Sequence, residues 1–156
     1  MKPNYKEHIR DMNKQTKELI GLYREAGRHL DISESEFWVW YTLVSMEGNY
    51  TQQDICTLWS LPKQTVNTVI AHMKRKRLAF LQAVPGTRNH KTVHLTEAGR
   101  AYGEQLILPI TRAEERAFDH ISAEEVALVT SAFGRYLGAI RAELDSIKKA
   151  KPITEG

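Results

Sequence analysis

The sequence predicts a mainly α-helical fold with one small β-hairpin, in which a helix-turn-helix core lies between long helices at the two ends of the chain. Three observations carry this prediction. Apolar residues recur at helical spacing in six segments, and a Pro85-Gly86 turn separates two runs that alternate with period two. In addition, the middle of the chain is strongly basic, although the net charge of the whole chain is only +3.

Length and composition suit one domain, or one domain with extensions. The chain has 156 residues, and a chain of this size can bury roughly 70% of its unfolded surface, so it needs no disulfides. Cys56 is its one cysteine, which fits a reducing compartment. The N-terminus is polar, and no apolar run approaches the roughly 20 residues of a membrane span. We therefore expect a soluble, cytoplasmic protein that does not interact with membranes.

The N-terminal part of the chain predicts two helices. Residues 5–28 place apolar side chains at helical spacing among charged ones, which is typical of one long amphipathic helix. Ser33 precedes Glu36 by three positions, the spacing of a capping box, and the apolar run FWVWYTLV follows. The aromatic and β-branched content of this run would permit a strand. The cap before it and Gly48 after it favour a short, heavily buried helix.

The middle of the chain predicts two short helices followed by a hairpin. Thr51 and Asp54 form a cap-like start for TQQDICTLWS, a helix of about two turns. Pro62 then stands where a first helical residue is tolerated. The next segment is PKQTVNTVIAHMKRKR, with apolar residues at helical spacing: Val66, Val69, Ile70 and Met73. LAFLQAV and KTVHL, on either side of Pro85-Gly86, are strand candidates.

The C-terminal part of the chain predicts two more helices. Thr96 can cap a helix that extends from about residue 97 to 118. Ser122 and Glu125 form a further capping box, which opens a last helix whose apolar stripe reaches Ile147. The long apolar stripes at the two ends of the chain have no evident partner inside a small domain.

The two short helices in the middle indicate DNA binding. Two such helices joined by a tight turn describe a helix-turn-helix, whose second helix fits a major groove about 12 Å wide. Because Val66, Ile70 and Met73 must face the core, polar residues of that helix must face outward. We expect four of them to read bases: Lys63, Gln64, Asn67 and Thr68. The amides can pair with adenine, and the lysine can donate to guanine or phosphate.

The hairpin predicts a second DNA contact. A hairpin directly after a recognition helix is a wing, and the whole arrangement is a winged helix-turn-helix. Arg88 lies at the predicted tip, where an arginine suits the enhanced negative potential of a narrow minor groove. Other residues of the wing and of the two short helices are expected to contact the DNA backbone: Thr51, His72, Lys74, Arg75, Lys76, His90 and Lys91.

The distribution of charge agrees with a polyanionic partner. Residues 60–100 contain eight basic residues and one acidic residue, a net charge of +7, whereas the remainder contains 14 basic and 18 acidic residues. Such asymmetry is typical of nucleic-acid-binding proteins. From charge alone, the alternative is a solvated charged face.

The run TQQDICTLWSLPKQTVNTVIAHMKRKRLAFLQAVPGTRNHKTVHLTEAGR resembles the core of the multiple-antibiotic-resistance regulator (MarR) family. The most specific piece is LTEAGR, and the order of the flanking elements extends the resemblance over nearly the whole chain. The resemblance implies a homodimeric winged-helix transcription regulator, usually a repressor, whose N- and C-terminal helices interlock in the dimer. We accordingly expect dimerisation helices at 1–32 and 104–147, a DNA-binding lobe at 33–103 and a C-terminal tail at 148–156.

The chain departs from the resembled family in two places, the wing tip and the end of the recognition helix. Its wing tip often has aspartate, any residue, then arginine, whereas this chain has Thr87, Arg88 and Asn89. The acid that buttresses the arginine is therefore absent, and the arginine is shifted by one residue. Arg77 stands where the family often has glycine after the recognition helix. We expect a different helix end there and more positive charge near the DNA.

Aromatic residues in the N-terminal half form a candidate effector pocket. The resembled family often binds small aromatic or phenolic ligands between the dimer arms and the DNA-binding lobe. Four residues are the candidates in this chain: Tyr23, Trp38, Trp40 and Tyr41. The alternative for these residues is ordinary hydrophobic core.

Other chemistry has little support in the sequence. There is no phosphate-binding glycine loop, no nucleophile–histidine spacing and no pair of carboxylates on one face, so we expect neither an enzyme nor a cofactor. His90 and His94 would lie on one side of a strand, yet the cysteines or carboxylates of a metal site are missing. We expect Cys56 to be a buried thiol rather than a redox sensor.

The rival function is a winged helix that binds proteins without binding DNA.

Overall fold

A computed structural model of the protein describes residues 4–149. Within them the elements are α1 (Tyr5–His29), α2 (Glu34–Ser45), β1 (Tyr50–Thr51), α3 (Gln52–Trp59), α4 (Lys63–Arg75), β2 (Ala79–Ala83), β3 (Lys91–Leu95), α5 (Glu97–Phe118) and α6 (Ala123–Lys149). This order confirms the predicted mainly helical fold with its hairpin. The short strand β1 is not among the predicted elements, because two residues cannot show an alternating pattern.

Reciprocal capping boxes begin α3 and α6. The Thr51 side chain accepts the backbone N–H of Asp54 at 3.1 Å, and the Asp54 carboxylate accepts the backbone N–H of Thr51 at 2.8 Å. Ser122 and Glu125 form the same pair of bonds, at 3.2 and 2.8 Å. Each box satisfies two backbone donors, so both helix starts are set by local sequence.

The start of α2 differs from the prediction in one hydrogen bond. The Ser33 side chain accepts the backbone N–H of Glu36 at 3.1 Å, as predicted. The Glu36 carboxylate, however, accepts the indole N–H of Trp40 at 3.3 Å. The predicted capping box is therefore only half formed, and the carboxylate instead satisfies the polar atom of a fully buried side chain.

Helix α2 is the heavily buried helix that the sequence predicts. Its Phe37, Val39 and Trp40 are all fully buried. The core around them takes side chains from several other elements: Ile55, Val66, Ile70, Met73, Val93 and Ile107. Because α3 and α4 both contribute to this core, the helix-turn-helix is anchored through its apolar faces.

The three strands form one antiparallel sheet in the order β1-β3-β2. Strands β2 and β3 are the predicted hairpin, paired from Ala79 opposite Leu95 to Ala83 opposite Lys91. Strand β1 pairs through Tyr50 with the other side of β3. The central strand β3 therefore connects the hairpin to the residues that directly precede α3.

The chain forms two compact units, one up to Thr111 and one from Arg112. The first contains α1 to α4, the sheet and most of α5, and the second contains the end of α5 and all of α6. Lys148 and Lys149, predicted as the start of a tail, are instead the last residues of α6. The rest of that predicted tail, 150–156, lies outside the described residues.

A close contact joins the base of the hairpin to the start of α5. The Thr96 N–H donates to the Leu78 carbonyl at 3.0 Å, and the Thr96 hydroxyl accepts the N–H of Gly99 at 3.0 Å. A Cβ atom on Gly99 would lie 1.8 Å from the Leu78 carbonyl oxygen. The glycine of LTEAGR is therefore required because backbone of another segment occupies the space of a side chain.

Replacing Gly99 by alanine tests this contact. Because the new methyl group meets backbone rather than a flexible side chain, we expect Gly99→Ala to lower the free energy of unfolding by at least about 2 kcal/mol. The measurement is urea denaturation followed by circular dichroism. The matched control is Gly21→Ala in α1, where nothing lies within 4 Å of the added Cβ, so we expect a gain of about 0.5–1 kcal/mol. Equal effects of the two substitutions would contradict the close contact.

Candidate nucleic-acid interface

The two faces of α4 differ as the sequence predicts. Val66, Ile70 and Met73 are at most 1% exposed. The four predicted base-reading residues are all exposed: Lys63, Gln64, Asn67 and Thr68. The 13 residues of α4 extend about 20 Å at 1.5 Å per residue, so the helix is long enough to lie across a major groove.

The turn between α3 and α4 is tight and well bonded. Ser60 adopts a left-handed conformation with φ 52°, and the N–H of Leu61 donates to the Cys56 carbonyl at 3.0 Å. Pro62 is the N-cap of α4, with φ −61° and ψ 137°, rather than its first helical residue. The structure therefore moves Pro62 from the first helical position to the N-cap, one position earlier. The fixed φ of proline suits both positions, and only ψ distinguishes them.

Positive charge accumulates where α4 ends. Lys74, Arg75, Lys76 and Arg77 are all exposed, and none forms an ion pair with a residue that the structure describes. His72, one turn earlier, is half-buried. The predicted backbone-contacting cations of α4 are thus available to a ligand without first breaking a salt bridge.

Arg77 explains how this helix ends without the glycine of the resembled family. It adopts a left-handed conformation with φ 57°. Its N–H donates to Lys74 O and the Leu78 N–H donates to Met73 O, both at 2.9 Å, which is a Schellman motif. A non-glycine residue in this conformation costs about 1–2 kcal/mol. The expectation of a different helix end is therefore wrong, because Arg77 adopts the left-handed conformation that a glycine would have there. The difference that remains is an extra exposed cation.

The tip of the hairpin is a short hydrogen-bonded loop. Val84 N–H donates to the His90 carbonyl at 2.9 Å, and Gly86 adopts φ 79°. Arg88 is exposed within this loop, as predicted for a wing tip. His90 lies just before β3, whereas His94 lies within it, stacks on Phe80 and contacts the Thr92 hydroxyl at 2.7 Å. The expected placement of both histidines on one strand is therefore wrong.

A cleft of about 460 Å³ lies between the start of α3 and the hairpin. It brings together three of the predicted backbone contacts, Thr51, His90 and Lys91. The other lining residues are mostly polar: Gln52, Gln53, Asp54, Leu81 and Asn89. Residues from two distant parts of the sequence thus form one polar surface beside the wing.

One acid lies in this cleft and stays ionised. The backbone N–H of Thr51 and then its hydroxyl hold the pKa of Asp54 below its ordinary value, against a smaller opposing effect of burial. The charge of His90 lowers the pKa of Asp54 further. Asp54 therefore serves the α3 cap and is electrostatically coupled to the wing.

The four candidate effector residues do not lie together. Tyr23, Trp38 and Tyr41 belong to one cluster of aromatic rings, in which Trp38 stacks on Trp59 with ring centroids 4.2 Å apart. Trp40 packs elsewhere, against Tyr102 at 5.3 Å. Trp38 and Trp40 differ by two positions, about 200° around a helix, so they face different sides of α2. The cluster includes Trp59, which the sequence did not single out, and excludes Trp40.

Three further expectations concern the burial of Cys56, metal sites and membrane-spanning helices. Cys56 is only 6% exposed, which confirms the predicted buried thiol. Among residues 4–149 there is no group of three or more histidine, cysteine, aspartate or glutamate side chains that could hold a metal ion. Within the same residues, none of the helices combines the length and apolarity that a membrane crossing requires.

One exposed residue of α4 was missed by the sequence analysis. Ala71 is exposed between the buried Ile70 and the half-buried His72, on the same side of the helix as Thr68. A small apolar residue gives no signal of binding in a sequence. Helical spacing alone could have placed it among the outward-facing residues.

Comparison with solved structures confirms the fold. NMB1585, a MarR family regulator from Neisseria meningitidis, has a TM-score of 0.74 and 24% identity, covering 92% of this chain and 99% of that chain. A putative MarR family transcriptional regulator from Listeria monocytogenes complexed with 26mer DNA has a TM-score of 0.66 and 14% identity, with coverage of 94% and 97%. The S. aureus MepR–DNA complex has a TM-score of 0.58 and 19% identity, with coverage of 83% and 94%. No protein-family model and no curated protein matches the sequence.

The coupling between Asp54 and Thr51 predicts a measurable titration. The pKa of Asp54 is lowered in the folded protein. The cap therefore stabilises the fold fully at pH values above the ordinary pKa of aspartate. This stabilisation is lost as the pH falls through the lowered pKa of Asp54. We expect Thr51→Ala to move the Asp54 midpoint upward, measured by carboxyl-carbon NMR. Glu125, whose pKa is lowered by Ser122, should keep its midpoint and serves as the internal control. An unchanged Asp54 midpoint would contradict this assignment.

Proposed function

We propose that this chain is a sequence-specific DNA-binding transcription regulator of the MarR family. One observation carries the proposal: burial of one face of α4 leaves an exposed polar face beside a basic, hydrogen-bonded wing. Two solved structures of the same fold contain DNA, which supports this use of the face. Helix α4 enters the major groove, and Lys63, Gln64, Asn67 and Thr68 contact base edges.

The remaining contacts fix the position of the protein on the duplex. Arg88 at the wing tip reaches a minor groove, and His90 and Lys91 approach phosphates from the adjoining cleft. Thr51 lies in the same cleft, but its N–H and its hydroxyl both donate to Asp54, so it supports the cap of α3 rather than a phosphate contact. Lys74, Arg75 and Lys76, with the half-buried His72, approach the backbone at the end of α4. These contacts supply affinity that depends little on sequence and strongly on salt.

The functional unit of the proposal is a homodimer. Taken separately, α1 and α6 each leave large apolar side chains exposed in a single chain, and on α6 Leu128, Val129 and Ile147 are 67%, 65% and 66% exposed. A second copy that covers these stripes would remove them from water. Two recognition helices related by a two-fold axis fit an inverted repeat with half-sites about 10 bp apart.

Repression follows from such a complex if the operator overlaps a promoter, and an effector would reverse it. We place the effector at the aromatic cluster of Tyr23, Trp38, Tyr41 and Trp59. This cluster joins α1, α2 and the end of α3, so a ligand there contacts both a proposed dimerisation helix and the helix-turn-helix. The ligand can release DNA only through a higher affinity for the dimer shape that does not fit the operator.

Two substitutions separate base reading from backbone contact. On a duplex selected from random DNA, we expect Asn67→Ala to cost about 1–3 kcal/mol of binding free energy and to relax preference at one position. We expect Arg75→Ala to weaken all sequences alike and to reduce the salt slope by about one. Both effects are measured by fluorescence anisotropy across a salt series.

The control for Arg75→Ala is Arg28→Ala, which removes the same charge from α1 outside the basic segment. It should leave the salt slope unchanged. An Asn67→Ala protein that selects the same sequence as wild type would refute the base-reading role. A wild-type protein that fails to slow any duplex in a gel at moderate salt would favour the rival function, a protein-binding winged helix.

The effector site is tested by titration with a panel of phenolic acids. Because Trp38 and Trp59 stack within the cluster, we expect binding there to change tryptophan fluorescence and to give heat in calorimetry. Trp59→Phe should reduce the fluorescence change, whereas Trp40→Phe, outside the cluster, should preserve it. The absence of any response across the panel by both methods would remove support for this site.

A further inference from the structure

We propose that Thr68 and Ala71 read the 5-methyl groups of thymine, so that the central part of α4 selects A·T-rich half-sites. The inference rests on the proposed function and gives its base-reading face a chemical preference. Both residues are exposed on α4, three positions apart, which makes them neighbours on the helix surface. They present methyl groups, whereas the exposed side chains one turn before them, Gln64 and Asn67, present amides. One turn after Ala71, the exposed Lys74 and Arg75 present cations.

The Thr68 hydroxyl is already engaged within the helix. It donates its proton to the Gln64 carbonyl at 2.9 Å. A hydroxyl has one proton, so this one cannot be given to the acceptors of a base edge while that bond persists. The γ-methyl group takes no part in this hydrogen bond, and the side chain as a whole is exposed. Thr68 therefore offers DNA a methyl group and a hydroxyl oxygen that can only accept.

Ala71 adds a second methyl group beside the first. It is exposed although its neighbour Ile70 is buried in the core, so its side chain belongs to the outward face. Its single methyl group cannot form a hydrogen bond. Its small size also lets the helix backbone approach the floor of a groove more closely than a longer side chain would.

The major groove contains one apolar feature, the 5-methyl group of thymine, and alanine and threonine methyl groups are suited to contact it. Gln64 and Asn67, whose amides pair with adenine, lie on the same part of the helix. From Gln64 to Met73 the helix has no lysine or arginine, the residues that most often read guanine. The chemistry of this central part of α4 therefore matches both bases of the A·T pair, and the base-reading residue Lys63, which can donate to guanine, lies outside it.

The test uses a duplex selected by the wild-type protein from random DNA, with thymines replaced one at a time by deoxyuridine. This change removes the methyl group and keeps the base pair and its hydrogen-bonding edge. We expect wild-type binding to weaken about fourfold for each contacted methyl group lost, the ratio expected for one buried carbon. Fluorescence anisotropy in one buffer gives the dissociation constants.

Two variants assign the effect to Thr68. Thr68→Ser keeps the hydroxyl and its bond to Gln64 but deletes the methyl group, so its binding should no longer distinguish thymine from deoxyuridine at one position. Thr68→Val keeps a γ-methyl group and deletes the hydroxyl, so it should retain that distinction. Circular dichroism of both variants verifies that the fold is unchanged.

Wild-type binding that is equal for thymine and deoxyuridine at every position would overturn the inference. If each deoxyuridine that weakens wild-type binding also weakens the binding of Thr68→Ser by the same factor, the assignment to Thr68 is wrong. In both cases the protein still binds a selected duplex, so the proposed function would stand. A wild-type protein that enriches no sequence at all would defeat the proposed function, and the inference with it.

Discussion

The packing of α4 against the core is the constraint on which the proposed interface depends. Val66, Ile70 and Met73 are almost completely buried, and burying a side chain of this kind contributes about 1.5–3 kcal/mol. A rotation of α4 by one residue, about 100°, would expose part of this stripe and bury polar groups. The helix therefore has one favourable orientation. In the proposed function, the residues that are free to contact DNA are therefore those that the core does not bury.

A second constraint sets the direction of the wing. Leu78 continues the end of α4, and its carbonyl accepts the N–H of Thr96 while lying against Gly99. This joint connects the end of α4, the start of β2 and the first turn of α5. Strand β1 adds a further attachment to the centre of the sheet. The wing is thus attached at its base, and its tip, with Arg88, is the part left without strand pairing.

Local patterns were sufficient to predict most of the fold from the sequence. The boxes at Thr51–Asp54 and Ser122–Glu125 depend on residues three positions apart, so they are visible in the sequence and correct in the structure. Strand β1 was not predictable in this way, because its pairing partner lies some forty residues later and only the fold brings them together.

Within the candidate site, the direction of a side chain was predictable where it depends only on the 3.6-residue period of one helix. The outward direction of Asn67 and Thr68 follows from the buried stripe of α4, and the buried state of Cys56 was predicted from its position beside Ile55. The aromatic cluster was only partly predictable, because Trp59 joins it from another helix. The bond from Thr68 to Gln64 and the exposure of Ala71 carry no sequence signal that distinguishes function from solvent contact.

The most direct measurement is hydroxyl-radical footprinting of the full chain on a duplex that it selects, at low ionic strength. Two copies that each insert α4 should protect two short stretches on one face of the duplex, with centres about 10 bp apart. Cleavage that is uniform along the duplex at protein concentrations well above those used for selection would contradict the account, because no recognition helix would then occupy a groove.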